Sequence, residues 1–338
     1  MSKHRKFALG LGATGLVALA VAVAGQARSA ETYTIGWVPP TVAPFEAAMR
    51  EGIQDQAKAL GMKVIVAGGQ FDPNVQITAV DSLVQRKVDA ILIWPLDEKG
   101  IQPAFDRARA AGIPVIVIDS PGAKTATANF QTNDTTAGSA LARSAAAAIA
   151  KSGRKCAVGI IQGIEVVPIL RARNAGLEAG ARAAGCTILD KQANTKDNVE
   201  TARAIVTTWR TKFGEKMTGI LAVNDPSALA ALSAVRGSFK PVITGYNGDA
   251  LNVEQIQKGT IFATAALLSP EIGNGMAWAA YQVITGKSVP RTVAVPYLQL
   301  DSGNIGSYQP YADRLKAAMK VSVAKRGSGY VLVTAPGA

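Results

Sequence analysis

The chain has 338 residues, of which 48% are hydrophobic and 18% are charged. This composition supplies large apolar cores and excludes a disordered chain, and the length favours two domains over one. The formal charge of +12 suits nucleic acid, a membrane surface or an anionic ligand, but the chain has no dense basic run with interleaved aromatic residues. We therefore interpret it as solvated surface charge and expect no nucleic-acid partner.

The first thirty residues have the pattern of a secretory signal peptide. A basic start, Lys3 to Lys6, precedes a low-polarity run from Phe7 to Ala24, and small residues up to Ala30 offer cleavage sites. We expect residues 1–30 to be removed and the mature protein to be periplasmic. The alternative is a permanent N-terminal anchor, but Gly and Ala make the run weakly hydrophobic, and it is barely long enough to span a bilayer.

Loss of this segment removes most catalytic options. His4 is the only histidine, and without it the Ser-His-Asp and Cys-His arrangements and all histidine-based metal sites are excluded. Gly10 to Gly15 match the dinucleotide-binding pattern G-x-G-x-x-G, but they lie inside the apolar run of the signal and not between a strand and a helix. We expect no catalytic residue, no metal and no cofactor, and we do not expect an enzyme.

Four short apolar runs follow, at 35–38, 64–67, 90–93 and 115–118, with helical patterns between them. In the stretch 45–60, for example, apolar residues recur at helical spacing and charged residues occupy the other face. Strands that alternate with helices predict right-handed β–α–β units around a parallel sheet.

The same pattern begins again about 125 residues later, with a strand at 157–161. Gly52 and Gly61 are nine residues apart in the first copy, as are Gly176 and Gly185 in the second. Two copies of one unit are the simplest account. We therefore predict an α/β fold with two doubly wound parallel-sheet lobes joined by a hinge.

The two cysteines, Cys156 and Cys186, open the first two strands of the second copy. Consecutive strands of such a unit usually lie side by side, about 5 Å apart, which meets the distance requirement of a disulfide. The periplasm is also an oxidising compartment. We predict a Cys156–Cys186 disulfide; the alternative is a pair of buried free thiols.

Two such lobes leave a crevice where their strand ends face each other. In open α/β sheets, ligands bind beyond the carboxyl ends of the strands. The residues directly after the predicted strands are therefore binding candidates. They are 39–45, 94–95, 119–120, 162–173, 224–225 and 246–247.

Several strand-end sequences carry a resemblance to a known family. They are Pro44-Phe45 at a helix start, Asp119 after Ile-Pro-Val-Ile-Val-Ile, Gln162-Gly163-Ile164 followed by Arg171-Ala172-Arg173, Asn224-Asp225 after Gly-Ile-Leu-Ala-Val, and Gly245-Tyr246-Asn247-Gly248. With these pieces in this order and spacing, nearly all of residues 31–300 resembles the periplasmic solute-binding proteins of ABC importers, in the ribose and galactose-binding class.

The resemblance implies a type I periplasmic binding protein fold. Its N-terminal lobe would comprise 31–133 and 268–296, and its C-terminal lobe 134–267 and 297–338. The resemblance also implies three crossovers between the lobes, near Asn133-Asp134, Leu267 and Pro296.

Four strand-end residues gain a role from the resemblance, and each also has a structural alternative. Phe45 would stack on a sugar face, or pack the start of its helix. Asp119 would accept hydrogen bonds from hydroxyls, or cap the following turn. Arg173 would donate hydrogen bonds from the second lobe, or lie on a solvated helix face. Asn224 would both donate and accept, or form an Asx turn.

Other positions depart from the family pattern and bear on the ligand. Asn247 stands where the sugar binders commonly hold Asp, and Leu267 stands where the ribose-type binder has a hydrogen-bonding amide. Glu46 replaces a family residue beside Phe45 and would attract a cationic group. A buried hydroxyl without a partner costs about 1–3 kcal/mol. We therefore expect a smaller polyol, a deoxy or modified sugar, or a partly apolar solute, and not plain ribose.

We predict the periplasmic substrate-binding component of an ABC transporter. It would capture a small sugar, polyol or modified sugar between its lobes and deliver it, as a monomer, to the membrane subunits of the permease. The predicted contacts are Phe45, Glu46, Asp119, Ser120, Arg173, Asn224, Asn247 and Leu267. The alternatives are a sensor that presents its ligand to a receptor or kinase, and a binder of a nucleoside, an aromatic compound or an amine.

Overall fold

The computed structural model describes residues 32–309 and 321–333, so the predicted signal peptide at 1–30 lies outside the described residues. The strands are β1 (Thr34–Val38), β2 (Lys63–Val66), β3 (Ala90–Ile93), β4 (Val115–Ile118), β5 (Ala128–Thr132), β6 (Ala157–Gln162), β7 (Thr187–Ala193), β8 (Gly219–Ala222), β9 (Val242–Asn247), β10 (Ala263–Leu267), β11 (Thr292–Val295), β12 (Tyr297–Asp301), β13 (Ser322–Arg326) and β14 (Gly329–Val333).

The helices are α1 (Pro44–Ala59), α2 (Pro73–Gln85), α3 (Gln102–Ala110), α4 (Asp134–Lys151), α5 (Pro168–Ala183), α6 (Val199–Phe213), α7 (Asp225–Ser233), α8 (Ala250–Gln257) and α9 (Ser269–Ile284). Within 32–309 and 321–333, none of them is long and apolar enough to cross a membrane.

Eight strands form one sheet, in the order β13-β14-β11-β5-β4-β3-β1-β2. Every residue of β3 and β4 is buried, as expected for parallel strands that helices cover on both faces. We call this sheet, with α1, α2, α3 and α9, the N-terminal lobe. Its parallel core has the predicted β–α–β organisation.

The other six strands form a second sheet, in the order β12-β10-β9-β8-β6-β7. Five of them run parallel, and β12 is antiparallel to β10. We call this sheet, with α4 to α8, the C-terminal lobe. The two sheets confirm the predicted α/β fold class with its two doubly wound lobes.

The chain passes between the sheets after β5, after β10 and after β11. One further passage was not predicted. The β13–β14 hairpin belongs to the eight-stranded sheet, because Val331 of β14 pairs with Ala294 of β11. The assignment of all of 297–338 to the C-terminal lobe is therefore wrong for 321–333.

The repeat has a direct counterpart in helix packing. A Cβ atom on Gly52 of α1 would lie 1.9 Å from the carbonyl oxygen of Pro270 in α9. A Cβ atom on Gly176 of α5 would lie 2.4 Å from the carbonyl oxygen of Thr135 in α4. Only glycine permits such backbone approach. Each lobe therefore holds one closely packed helix pair at the same point of its unit.

The Cys156–Cys186 disulfide is present, with the two Cα atoms 4.6 Å apart. It links the starts of β6 and β7, which pair in parallel from Ala157 and Thr187 onward. The prediction from strand adjacency is confirmed, and the alternative of two free thiols is wrong.

Candidate functional site

The carboxyl ends of strands from both lobes surround a cavity of about 170 Å³. The N-terminal lobe contributes segments after β1, β2 and β3 and the start of α1. The C-terminal lobe contributes segments after β7, β8 and β9 and the start of α5. We call this the central cavity. It is lined chiefly by the polar residues Glu46, Arg173, Asp197, Asn224, Asn247 and Asp249 and by the apolar residues Phe45, Phe71, Trp94, Val167, Ile169 and Leu170.

An aromatic wall closes the cavity on the side of the N-terminal lobe. Pro44 at the first position of α1 starts that helix directly before Phe45. The Phe45 and Trp94 rings meet edge to face, with their centroids 5.6 Å apart. Both side chains are buried, and Phe71 lines the same cavity. Packed aromatic rings of this kind offer a rigid apolar surface to one face of a ligand.

Arg173 approaches from the C-terminal lobe and is 2% exposed. Its Nε donates to Oδ1 of Asp134 at 2.9 Å, and its Nη1 donates to Oδ1 of Asn247 at 3.1 Å. The guanidinium carbon lies 3.9 Å from the centroid of the Tyr246 ring, a cation–π geometry. Nη2 is buried and has no hydrogen-bond partner in the described part of the chain. The alternative of a solvated helix face is therefore wrong, and one donor remains for a ligand.

Asn224 combines a structural role with a position at the cavity: it caps a helix, and it lines the central cavity. It caps α7, because its Oδ1 accepts a hydrogen bond from the backbone N–H of Ser227 at 3.0 Å. Its Nδ2 donates to Oδ1 of Asp197 at 2.8 Å. The residue also lines the central cavity. The helix cap fixes the amide at the cavity wall, so the structural and the ligand-facing roles are compatible.

The cavity holds three carboxylates, of which only Glu46 was predicted. Burial raises the pKa of Glu46 to about 7. Burial, together with the nearby carboxylates of Asp225 and Glu46, raises the pKa of Asp249 well above its usual range. Burial also raises the pKa of Asp197. Each shift has the sign expected when a carboxylate leaves water without a full counter-charge.

Neither Asp197 nor Phe71 was predicted, because both follow strands, β7 and β2, whose ends are absent from the predicted binding segments. Strand β7 extends to Ala193, so Asp197 follows it by four residues. The positive φ angles of Phe71 and Asp197, 54° and 46°, place both in tight turns after these strands. The strand-end rule would have included both residues had these two strands been followed to their ends.

Three predicted contacts do not line the central cavity: Asp119, Ser120 and Leu267. Asp119 Oδ1 accepts from the backbone N–H of Thr132 at 2.7 Å and from its hydroxyl at 2.8 Å. Burial, with the neighbouring Asp134 carboxylate, raises the pKa of Asp119 to about 8. The Ser120 hydroxyl donates to the carbonyl of Ile118. Leu267 is fully buried in the core at the end of β10.

Asp119 borders a second cavity of about 320 Å³, together with Asp134, Ile169 and Ala172. Ile169 lines this cavity and the central cavity alike. Thr132 links the two acids, because its hydroxyl contacts both Asp119 and Asp134. We call Asp119, Thr132, Asp134, Arg173 and Tyr246 the Arg173 network. It joins the end of β5, the start of α4 and helix α5 beside the point where the chain crosses between the lobes.

The chain was compared with known proteins. A model of the periplasmic binding protein domain matches residues 35–288. The ribose import binding protein RbsB of Bacillus subtilis (strain 168) is 31% identical over 272 residues, covering 78% of this chain and 86% of the relative. The xylitol-binding protein of Mycolicibacterium smegmatis is 26% identical over 273 residues, covering 76% of each chain.

Solved structures have the same fold. An ABC transporter periplasmic solute binding protein from Actinobacillus succinogenes 130z, with bound D-allose, has a TM-score of 0.74 at 25% identity and covers 82% of this chain and 100% of that chain. The Caulobacter myo-inositol binding protein, bound to myo-inositol, has a TM-score of 0.75 at 22% identity and covers 83% of this chain and 97% of that chain.

Two α/β lobes with a lined cavity between their strand ends define a two-lobe solute-binding protein. The periplasmic binding protein domain matches residues 35–288, so the chain belongs to the periplasmic binding protein family. The relatives are named as binding proteins and not as enzymes.

Proposed function

We propose that this protein is the substrate-binding component of an ABC importer and that it captures a small hydroxylated solute between its two lobes. The observation that carries this proposal is the central cavity, which both lobes line at their strand ends. A ligand in that position contacts both lobes at once and favours their closed arrangement. Closure presents a composite surface of both lobes to the membrane subunits of the permease.

The lining supports a sugar, a polyol or a modified sugar. Phe45 and Trp94 offer an apolar wall, while Arg173 and Asn224 offer polar groups from the opposite lobe. The buried Nη2 atom of Arg173 has no partner among the described residues and would donate to a ligand oxygen. The cavity of about 170 Å³ lies below the range of about 300–1,000 Å³ that is typical of drug-sized ligands, which favours a small solute.

The proposed contacts are Phe45, Glu46, Arg173, Asn224 and Asn247, to which we add Asp197 and Asp249. Asp119 would act through the Arg173 network, and Ser120 and Leu267 would shape the surrounding strands. We further propose that the protein acts in the periplasm as a monomer after removal of residues 1–30, with no catalytic turnover, no cofactor and no nucleic-acid partner. The match to the periplasmic binding protein domain supports the periplasmic location.

The test is a thermal-shift screen of the protein without residues 1–30 against sugars, polyols, nucleosides, amino acids and small aromatics. A ligand at a hundred times its dissociation constant adds about 2.7 kcal/mol of stability, which is several degrees in melting temperature. A shift with a carbohydrate or polyol supports the proposal. Shifts confined to nucleosides, amino acids or aromatics, or chemical conversion of the bound compound, would overturn it.

A pair of capping variants then locates the site. Asn224→Ser keeps a capping oxygen on α7 but removes the amide that donates into the cavity wall. Asn198→Ser makes the same change at the start of α6, where Asn198 caps through Thr201. We expect Asn224→Ser to weaken binding of the compound found in the screen by about 3- to 10-fold, because this is the scale of one lost hydrogen bond. Asn198→Ser should leave binding within about twofold, since that cap lies outside the cavity. Equal effects would place the ligand elsewhere.

A further inference from the structure

The charges around the central cavity do not balance. Its lining contains three carboxylates, Glu46, Asp197 and Asp249, and one cationic side chain, Arg173. Arg173 is held by Asp134, which lies outside the cavity lining, through a charge-assisted hydrogen bond of 2.9 Å. Among the described residues that line the cavity, Arg173 is the one cation, and its ion pair is with a carboxylate outside the lining. The cavity retains an excess of acidic groups.

Two of these acids present unpaired oxygens. Glu46 and Asp249 are 9% and 6% exposed. In the described part of the chain, Oε2 of Glu46 and Oδ1 of Asp249 are buried without a hydrogen-bond partner. Each of these two acids also has one side-chain hydrogen-bond partner, Thr41 for Glu46 and Asn247 for Asp249. Asn224 donates to Asp197. An unpaired buried carboxylate oxygen is costly, so a bound ligand has a clear role in satisfying both atoms.

The two acids come from opposite lobes. Glu46 lies in the first turn of α1, and Asp249 follows β9 directly before α8. Both line the central cavity, and the Glu46 carboxylate is one of the causes that raise the pKa of Asp249. A single ligand group between them would contact both lobes. It would also relieve the repulsion that closure creates.

The chemistry of that group follows from what the two acids lack. A ligand hydroxyl donates one hydrogen and carries no charge. A protonated amine donates three hydrogens and supplies the missing positive charge. The aromatic wall of Phe45 and Trp94 adds a second feature that favours a cation. In residues 32–309 and 321–333, no group of three acidic, His or Cys side chains is placed to hold a metal ion. The two acids therefore favour an organic ammonium group over a hydroxyl.

Resting on the proposed function, we propose that the solute is an amino sugar or amino polyol whose ammonium group binds between Glu46 and Asp249. Its hydroxyls would face Arg173 Nη2 and Asn224 of the C-terminal lobe. This assignment narrows the substrate class from hydroxylated solutes in general to hydroxylated solutes with one positive charge.

The test is isothermal titration calorimetry at pH 7.5 with pairs of compounds that differ in one group. Suitable pairs are D-glucosamine with D-glucose, D-galactosamine with D-galactose, and 1-amino-1-deoxy-D-sorbitol with D-sorbitol. N-acetyl-D-glucosamine keeps the nitrogen but removes its charge. We expect at least one amine to bind about 10-fold or more tightly than its hydroxyl partner, the scale of a charge-assisted interaction. The N-acetyl compound should lose that advantage.

Variants separate the amine contact from a general effect on the cleft. Glu46→Gln should lower the preference for the amine over its hydroxyl partner by about 10-fold, and Asp249→Asn serves the same purpose if the first variant does not fold. Glu51→Gln is the matched control, because Glu51 lies on the same helix, exposed to solvent. It should leave the preference unchanged.

The outcomes distinguish the two proposals. Tighter binding of an amine, with loss of preference in Glu46→Gln, supports this inference. Hydroxyl compounds that bind as tightly as their amines would overturn the inference and leave the importer proposal standing. An absence of binding by any sugar or polyol in either form would overturn both.

Discussion

Two sets of buried carboxylates lie near Arg173, and they differ in how their charge is compensated. Asp134, in the Arg173 network, pairs directly with the guanidinium, and Thr132 links it to Asp119. Glu46 and Asp249, in the central cavity, each keep a buried oxygen without a partner within the described residues.

The difference indicates two functions for similar side chains. We call the buried Asp134–Arg173 ion pair the closed unit, although Oδ2 of Asp119 and Nη2 of Arg173 have no hydrogen-bond partner in the described residues. Removal of one partner of such a pair is strongly destabilising. The Arg173 network therefore fixes the start of α4, next to the crossover, against α5. We call Glu46 and Asp249 the open unit, which in our proposal a ligand completes. In this proposal, the unpaired oxygens of Glu46 and Asp249 lower the stability of the ligand-free protein and raise its affinity for the ligand.

The largest expected effect comes from breaking the closed unit. Arg173→Leu leaves the buried Asp134 without its cation and should lower the free energy of unfolding by about 3–5 kcal/mol. Arg171→Leu is the matched control on the same helix, because Arg171 is half exposed and lies 3.7 Å from Glu98. It should cost about 1 kcal/mol or less. Urea denaturation gives both values, and equal losses would show that the network has no special role.

Neutralising an acid of the open unit should raise the free energy of unfolding, whereas breaking the closed unit lowers it. Glu46→Gln removes a buried charge that forms no ion pair with another described residue, so the ligand-free protein should gain about 1–3 kcal/mol of stability at pH 8. Asp134→Asn should instead lose stability, because it breaks the ion pair with Arg173. Urea denaturation of the two ligand-free variants measures the contrast. A loss of stability in both would mean that Glu46 is compensated as fully as Asp134.

The pH dependence of stability reports on the buried carboxyl groups of both sets. Burial raises the pKa of Asp119 to about 8, of Glu46 to about 7 and of Asp225 to about 6. A raised carboxyl pKa means that the folded state keeps a proton that the unfolded state has lost, so stability falls as pH rises. The melting temperature of the ligand-free protein should therefore fall by several degrees from about pH 5 to 8.

Glu46→Gln should make the fall less steep up to about pH 7 and leave the slope above it unchanged, because Asp119 and Asp225 still contribute their part. Scanning calorimetry at constant ionic strength measures both profiles. A melting temperature of the wild-type protein that rises steadily from pH 5 to 8 would contradict the assigned direction of the pKa shifts.

The smallest expected effect concerns the ion pair between Arg171 and Glu98, which bridges the lobes at the rim. Arg171 and Glu98 come from opposite lobes, but the arginine is half exposed. Water and salt weaken such a pair, which contributes about 1 kcal/mol or less. Arg171→Met should therefore weaken ligand binding by no more than about fivefold. Calorimetry at low and high salt measures this, and a larger loss would make the rim pair a main determinant of closure.

Much of the fold follows from local patterns in the sequence. Apolar runs between amphipathic stretches predicted the parallel sheets, and the repeat of Gly52 at Gly176 predicted two copies of one unit. Cys156 and Cys186 were paired correctly because strand adjacency is a local consequence of the β–α–β unit. The β13–β14 hairpin was not predicted, because its pairing with β11 is long-range and follows a segment that departs from the repeat.

The site residues were predicted less completely than the fold, because the sequence does not show the direction in which a side chain points. Sequence position placed Asp119 at a strand end, but its carboxylate turns to the backbone N–H and hydroxyl of Thr132. Leu267 likewise ends a strand, yet its side chain packs in the core. The burial of Arg173 depends on Asp134 and Tyr246, which lie 39 and 73 residues away. Such partners are not visible in a local pattern.

The most direct test of the account is a crystal structure of the protein with the compound that binds most tightly in calorimetry. The account predicts ligand density in the central cavity, in contact with Phe45 from one lobe and with Arg173 and Asn224 from the other. Density confined to the cavity beside Asp119, or on one lobe alone, would contradict the claim that the central cavity is the binding site.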